Sequence, residues 1–406
     1  MKPRRGKGPL PQEGYVWQRV WTPQVQQGVQ AAAGKFAGLV VLAAEVEWLD
    51  GQPRLIRPKL DYRTLAALPM PLTLAMRIGP FPGPYGREET RTRQLAAWFK
   101  EVLQEASEAG CTPQEVQIDF DAATGKLAGY QLWLEVLQTA VQPIPLSFTA
   151  LPDWLHSPIL QAMARQTGRF VLQVHAVERA APHSQTPWLI DPQQARSWTE
   201  QAAALGVPFR VALPTYRSVV GFDAAGKIVG IDSEGPQRKW PEGTRRVAYL
   251  SPPEALAGLV RGWTEDRPES LSGLLWYRLP VPGERRNWSW ATLDSVMAGK
   301  TPLPKVQASA QGSNPVDLIL RNLGNADADW PARVSVALPA SGASILAGDA
   351  LSGYAFVPDA DHPQRAEFQR RGDSPDAFLA PGEEKSLGWL RLDATTADHE
   401  ITLTLS

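Results

Sequence analysis

Glu115-Val116-Gln117-Ile118-Asp119-Phe120-Asp121 is the stretch on which the fold turns. Val116, Ile118 and Phe120 recur at a spacing of two and mark one apolar face of a strand, so Gln117, Asp119 and Asp121 point the other way. A strand that carries carboxylates on its second face and then stops suits the mouth of a (β/α)8 barrel, where such enzymes keep their active sites. That fold requires seven more strands of the same kind.

The flanking sequence supplies them. Strand-like runs at 15–21, 38–47, 72–78, 144–149, 169–175, 208–214 and 271–278 alternate with helical patterns. The helix over 88–109 lines up Leu95, Trp98, Phe99, Val102, Leu103 and Ala106 on one face and stops at Gly110. After the opening stretch, Leu127, Tyr130, Leu134, Leu137 and Val141 repeat at steps of three and four. Asp191-Pro192 reads as an N-cap and a first-turn proline for a helix reaching Leu205. Eight such pairs predict an α/β fold, a (β/α)8 TIM barrel over residues 15–300, behind a flexible N-terminal segment, 1–14. After the seventh strand, Asp223-Ala224-Ala225-Gly226 joins two short strands and predicts a β-hairpin insertion at 219–232, placed to wall the barrel mouth. Beyond the proline-rich 301–304 the period changes to two: Val316, Leu318 and Leu320, then Val334, Val336 and Leu338, then Ile401, Leu403 and Leu405. This predicts an antiparallel β-sandwich domain over 305–406.

Composition narrows the partners. The 41 basic and 42 acidic residues nearly cancel, which gives no electrostatic argument for nucleic acid or an anionic membrane. No run approaches the ~18 apolar residues of a membrane span. The chain is expected to be soluble; the basic N-terminus, followed by no apolar h-region, is not a complete signal peptide, so the compartment is unknown, and periplasmic or secreted if a signal segment is absent from this chain. The single Cys111 excludes an internal disulfide and a cysteine metal site. Trp is abundant, at 15 residues, and exposed indole rings suit the apolar faces of sugars, although Trp is also a core residue. Dinucleotide, P-loop and nucleophile-elbow motifs are missing, so no cofactor is expected.

Strand alternation collects polar residues at the strand ends: Arg19, Glu45 with Glu47, Arg77, Asp119 with Asp121, Gln173 with His175, Tyr216, and Trp276 with Arg278. Asp119 and Asp121, about 6.5–7 Å apart at Cα, suit an acid/base pair that shares a proton. Glu45 is the expected second catalytic carboxylate. Arg19, Arg77, Gln173, His175, Tyr216, Trp276 and Arg278 are the expected substrate-binding residues. The bland alternative is an ion-pair network that only closes the barrel. A metal-dependent reading through Glu45, Asp119 and His175 requires those side chains to converge, and a His-x-His pair on the first strand is replaced by Trp17-Gln18-Arg19. Trp48, Trp154, Trp188, Trp276, Trp288 and Trp290 are candidate sugar platforms.

Tyr15-Val16-Trp17-Gln18-Arg19, the Gln117 to Asp121 segment, Phe148-Thr149-Ala150-Leu151-Pro152-Asp153-Trp154-Leu155 and Leu213-Pro214-Thr215-Tyr216 together resemble the bacterial domain of unknown function 3142 family, which implies no established activity. More distantly, Asp119-x-Asp121 resembles the strand-four signature Asp-x-Asp-x-Glu of family 18 glycoside hydrolases, whose final Glu is the general acid; here that position is Ala123. The resemblance implies a carbohydrate-active, glycoside hydrolase-like barrel acting on a polysaccharide. The alternative is a non-catalytic glycan- or envelope-binding protein on a degenerate barrel.

Overall fold

Eight parallel strands close on themselves. In a computed structural model that describes residues 4–49, 51–175, 188–233, 238–339, 342–371, 378–394 and 400–406, they are β1 (Gln12–Val16), β2 (Gly38–Leu49), β3 (Leu72–Ile78), β4 (Glu115–Phe120), β5 (Leu146–Ala150), β6 (Phe170–Gln173), β7 (Phe209–Pro214) and β8 (Leu271–Tyr277). Each pairs in parallel with the next, and β8 returns to β1 with Leu274 opposite Gln12. The barrel expected from the alternation is thus the fold observed. Residues 38–46 of β2 are buried without a break, because one face meets the barrel axis and the other meets helices.

Local chemistry places the helices. Pro23 opens α1 (Pro23–Ala31) behind a Thr22 cap. Asp191 caps the helix Pro192–Ala203 by accepting from the amides of Gln193 and Gln194 at 2.9 and 3.1 Å, as the Asp-Pro pair predicts. The helix after β4 is Leu127–Val141, and Tyr130, Leu134, Leu137 and Val141 of its repeat are buried.

Some elements differ from expectation. The first strand lies earlier than 15–21, and residue 17 onward forms the loop into α1. Within the segment expected to be flexible, Arg5–Gly6 pairs antiparallel with Arg267–Pro268, and Arg5 bridges Glu200 and Asp266 at 2.8 Å. A further strand, Gln52–Ile56, runs back antiparallel along the end of β2 as a hairpin. The insertion after β7 contains the expected hairpin, Ser218–Phe222 with Ile228–Asp232, and a third strand, Arg245–Tyr249, on its other edge. That strand opens on two arginines and shows little alternation.

The chain divides into two units, Met1–Asn287 with Met297–Gly299, and Trp288–Val296 with Lys300–Ser406. The helix Trp290–Met297, which falls within the span 15–300 expected for the barrel, therefore groups up to Val296 with the second unit. There the Ser289 amide donates to Asp327, and the Asp327 amide to the Thr292 hydroxyl, each at 2.8 Å. The second unit is built from two four-stranded antiparallel sheets. One holds Val306–Gln311, Val316–Asn322, Glu384–Leu392 and Ile345–Ala350, and the other Tyr354–Pro358, Arg365–Arg370, Arg333–Ala337 and Thr402–Leu405. Val316, Leu318, Leu320, Val334, Val336 and Phe368 face a common core, as the period of two requires.

Candidate active site

The inward residues of the barrel fall into three tiers. At the N-terminal end, Arg210 of β7 bonds Glu13 at 2.8 Å and also Glu115, while Arg169 reaches Glu115 at 3.1 Å. These pairs satisfy one another, a structural role for an ion-pair network. Above them Val40, Leu42, Ala75, Val171, Ala212 and Leu275 make an apolar tier with Tyr15 and Trp17. The third tier is a polar pocket at the C-terminal mouth, with a volume of about 390 Å³.

Two carboxylates of β4 and its following loop line this pocket, Asp119 and Asp121, with Arg77 from β3 beside them. Trp17, Tyr216 and Tyr277 give it aromatic walls, and Ile231 and Ser233 from the inserted sheet complete one side. The insertion therefore does wall the mouth. Asp119 is partly open to the pocket and otherwise enclosed. Thr149 of β5 donates to its Oδ1 at 2.8 Å. Loss of water holds its carboxyl above the usual range, opposed by the Thr149 bond and the Arg77 charge and reinforced by Glu45. A carboxyl so placed retains a proton more readily than one in water, which is what a general acid needs.

Opposite, His175 is buried with Nδ1 3.2 Å from the Ala212 carbonyl. Burial lowers its pKa to about 4, so the ring is neutral near pH 7, with Nδ1 donating to that carbonyl. The ring stacks on Tyr277 at 5.8 Å and meets Tyr216 edge-on at 5.9 Å. Deeper, Tyr15 donates from its hydroxyl to Gln117 Oε1 at 2.8 Å.

Of the expected site residues, Asp119, Asp121, Arg77, Gln173, His175 and Tyr216 come together on the pocket wall. Four do not line it. Glu45 is buried and spends both oxygens on arginines: Arg19 grips it through Nε and Nη2, and Arg77 reaches Oε1 at 3.3 Å. That places Arg19 with Glu45. Trp276 faces the helical side of β8, where its indole N–H donates to Gln12 at 2.8 Å. Arg278 follows the strand, buried against Glu284. The inward face of β8 is that of Leu275 and Tyr277, and the choice of the even residues failed because this strand is apolar on both faces, so alternation carries no signal. Glu47 is exposed on the outer hairpin opposite Arg54. Among the described residues no group of three or more His, Cys, Asp or Glu can hold a metal ion, so Glu45, Asp119 and His175 do not converge as the metal-dependent reading requires.

The tryptophan platforms also change. Trp48 stacks on Phe81 at 4.1 Å, Trp154 is buried and donates to the Ala122 carbonyl, and Trp276 and Trp288 are buried. The indole that does face the pocket is Trp17, which the sequence reading passed over with Tyr15, Thr149 and Tyr277. Tyr15 and Trp17 share the parity of Arg19 and were reachable by the same alternation. Thr149 needed the register of β5.

The fold and the mouth define a (β/α)8 barrel with a carboxylate-bearing, aromatic-walled pocket. Residues 85–282 match the model of a domain of unknown function, DUF3142, in accord with the resemblance drawn from the sequence, and residues 305–393 match that of a second such domain, DUF8456. No curated protein matches the sequence. Among solved structures, the spore cortex-lytic enzyme SleL of Bacillus cereus aligns over 73% of this chain and 75% of its own, with a TM-score of 0.51 and 11% identity. SleL of Bacillus megaterium QM B1551 covers the same shares with a TM-score of 0.48 and 12% identity. The GH18 chitinase ChiB of Flavobacterium johnsoniae aligns over 72% of this chain and 94% of its own, with a TM-score of 0.41 and 11% identity. At such identities the likeness is one of fold.

Proposed function

We propose that the mouth pocket binds a carbohydrate and that Asp119 and Asp121 form its acid/base pair, making the chain a glycoside hydrolase-like enzyme acting on a polysaccharide. The observation that carries this reading is the meeting of two carboxylates from one strand end, one of them deprived of water, inside a pocket walled by Trp17, Tyr216 and Tyr277. Flat aromatic faces suit sugar rings. In this scheme the pair gives one proton to the departing glycosidic oxygen and regains one from the attacking water. Glu45 acts at one remove, by holding Arg77 beside Asp119. His175, neutral, fixes the wall made by Tyr216 and Tyr277. The fold is shared with the spore cortex-lytic enzyme SleL of Bacillus cereus, which is in keeping with a glycan substrate.

One observation favours a second reading. Ala123, where the family 18 signature has its acid, carries no ionisable group. A barrel that binds glycan without cleaving it accommodates this directly. Reducing-sugar release and direct binding, measured on the same polysaccharides for the native chain, Asp119→Asn and Asp121→Asn, separate the two. Release that falls about 100-fold or more in each variant, while binding survives, supports the enzyme. Binding with no release in any of the three supports the recognition module.

A further inference from the structure

Arg77 stands in a row of inward charges on three neighbouring strands, level with Glu45 of β2 on one side and Asp119 of β4 on the other. Glu45 is already matched, since Arg19 holds both of its oxygens. Arg77 reaches it with Nη1 alone, at 3.3 Å, a long contact. A guanidinium offers five N–H donors in a rigid fork, and the Nε and Nη2 of Arg77 make no hydrogen bond among the described residues. Asp119 takes its side-chain hydrogen bond from Thr149 instead. The Arg77 side chain is 44% exposed and lines the pocket. The mouth thus presents a charged fork whose carboxylate-binding edge is open to whatever enters.

Building on the carbohydrate reading above, we propose that Arg77 receives a carboxylate of the ligand, so that the glycan this pocket takes is acidic, composed of uronic acids or of sugars bearing a carboxyalkyl substituent. The planar fork matches a carboxylate with two parallel N–H···O bonds, a geometry that neutral hydroxyls satisfy less well. Glu45 meets Arg77 through Nη1 alone and leaves the Nε–Nη2 edge of the fork for a ligand. Asp121 is a carboxylate in the same pocket and opposes a second negative charge, so the preference is selective and not overwhelming.

The test is calorimetric binding of two oligosaccharide sets matched in backbone, cello-oligosaccharides and their C6-oxidised polyglucuronate counterparts, to the full chain and to Arg77→Gln and Arg77→Lys. The native chain is expected to bind the oxidised set about tenfold more tightly or better, one charge-assisted contact's worth, with the margin shrinking as salt is added. Arg77→Gln is expected to bring the two sets level, and Arg77→Lys to keep part of the margin; thermal melting checks that each variant is folded. Equal or weaker binding of the oxidised set by the native chain, or a margin that survives in folded Arg77→Gln, overturns the inference while leaving carbohydrate binding standing. Failure of both sets to bind overturns the carbohydrate reading and this inference with it.

Discussion

A single residue, His175, converts burial into a measurable pH dependence. Its folded pKa, about 4, lies below the unfolded value of about 6.5. The unfolded state therefore binds the proton first, and stability that is full above pH 6.5 is lost as pH falls through this window to 4. The loss amounts to roughly 3 kcal/mol if the ring stays buried. Thermal melting between pH 7 and 4 should show the barrel transition falling steeply, and His175→Gln should flatten that slope even if it lowers the plateau. Asp119 has the opposite sign. Its raised pKa means that the folded state favours the protonated carboxyl, so its contribution is present at low pH and is lost as pH rises through the folded pKa. Asp119→Asn keeps an acceptor for Thr149 and removes that loss, so it is expected to melt no lower than the native chain at pH 8. A lower melting temperature there would mean that the ionised carboxylate holds the barrel together.

At the scale of elements, the inserted sheet after β7 decides how much of the mouth is open. Ile231 lines the pocket, yet 45% of it is exposed, so its packing supports little of the fold. Ile231→Asp should weaken glycan binding about tenfold, by adding an unmatched charge and removing an apolar wall, and shift the melting temperature by about 1 °C or less, as surface substitutions do. Unchanged affinity would show that the ligand does not reach this wall. This sheet also marks the limit of what could be read. Val219, Val220 and Phe222 with the Asp223–Gly226 turn announced a hairpin, because turn chemistry is local. Its third strand, with two arginines and little alternation, depended on pairing with distant residues. Likewise β4 disclosed Asp119 and Asp121 because one face is apolar and the other is not. β8, apolar on both faces, hid Tyr277 and promoted Trp276. Legibility followed the asymmetry of each strand. The pairing of Glu45 with Arg19 and Arg77 lay beyond sequence reasoning because ion pairs between strands depend on register, and β2 shifts register between Leu42 and Ala44.

At the scale of the whole chain, the two units have separate cores and separate chemistry. Val316, Leu320, Val334, Phe368 and Leu390 pack among themselves in the second unit, while the apolar tier of the barrel runs through Val40, Val171 and Leu275. Calorimetry of the intact chain should accordingly resolve two transitions, since each core can melt on its own terms. Phe368 is fully buried, so Phe368→Ala removes about 3–5 kcal/mol from the sandwich transition and should leave the barrel transition where it was. On the proposed function, a glycan held in the mouth pocket acts on the other one. At 100 times its dissociation constant it adds about 2.7 kcal/mol to the barrel alone, and Asp121→Asn or Arg77→Gln should change that gain without touching the sandwich. If ligand raises both transitions together, or if Phe368→Ala lowers both, the units unfold as one, and the sandwich must then be counted among the supports of the site.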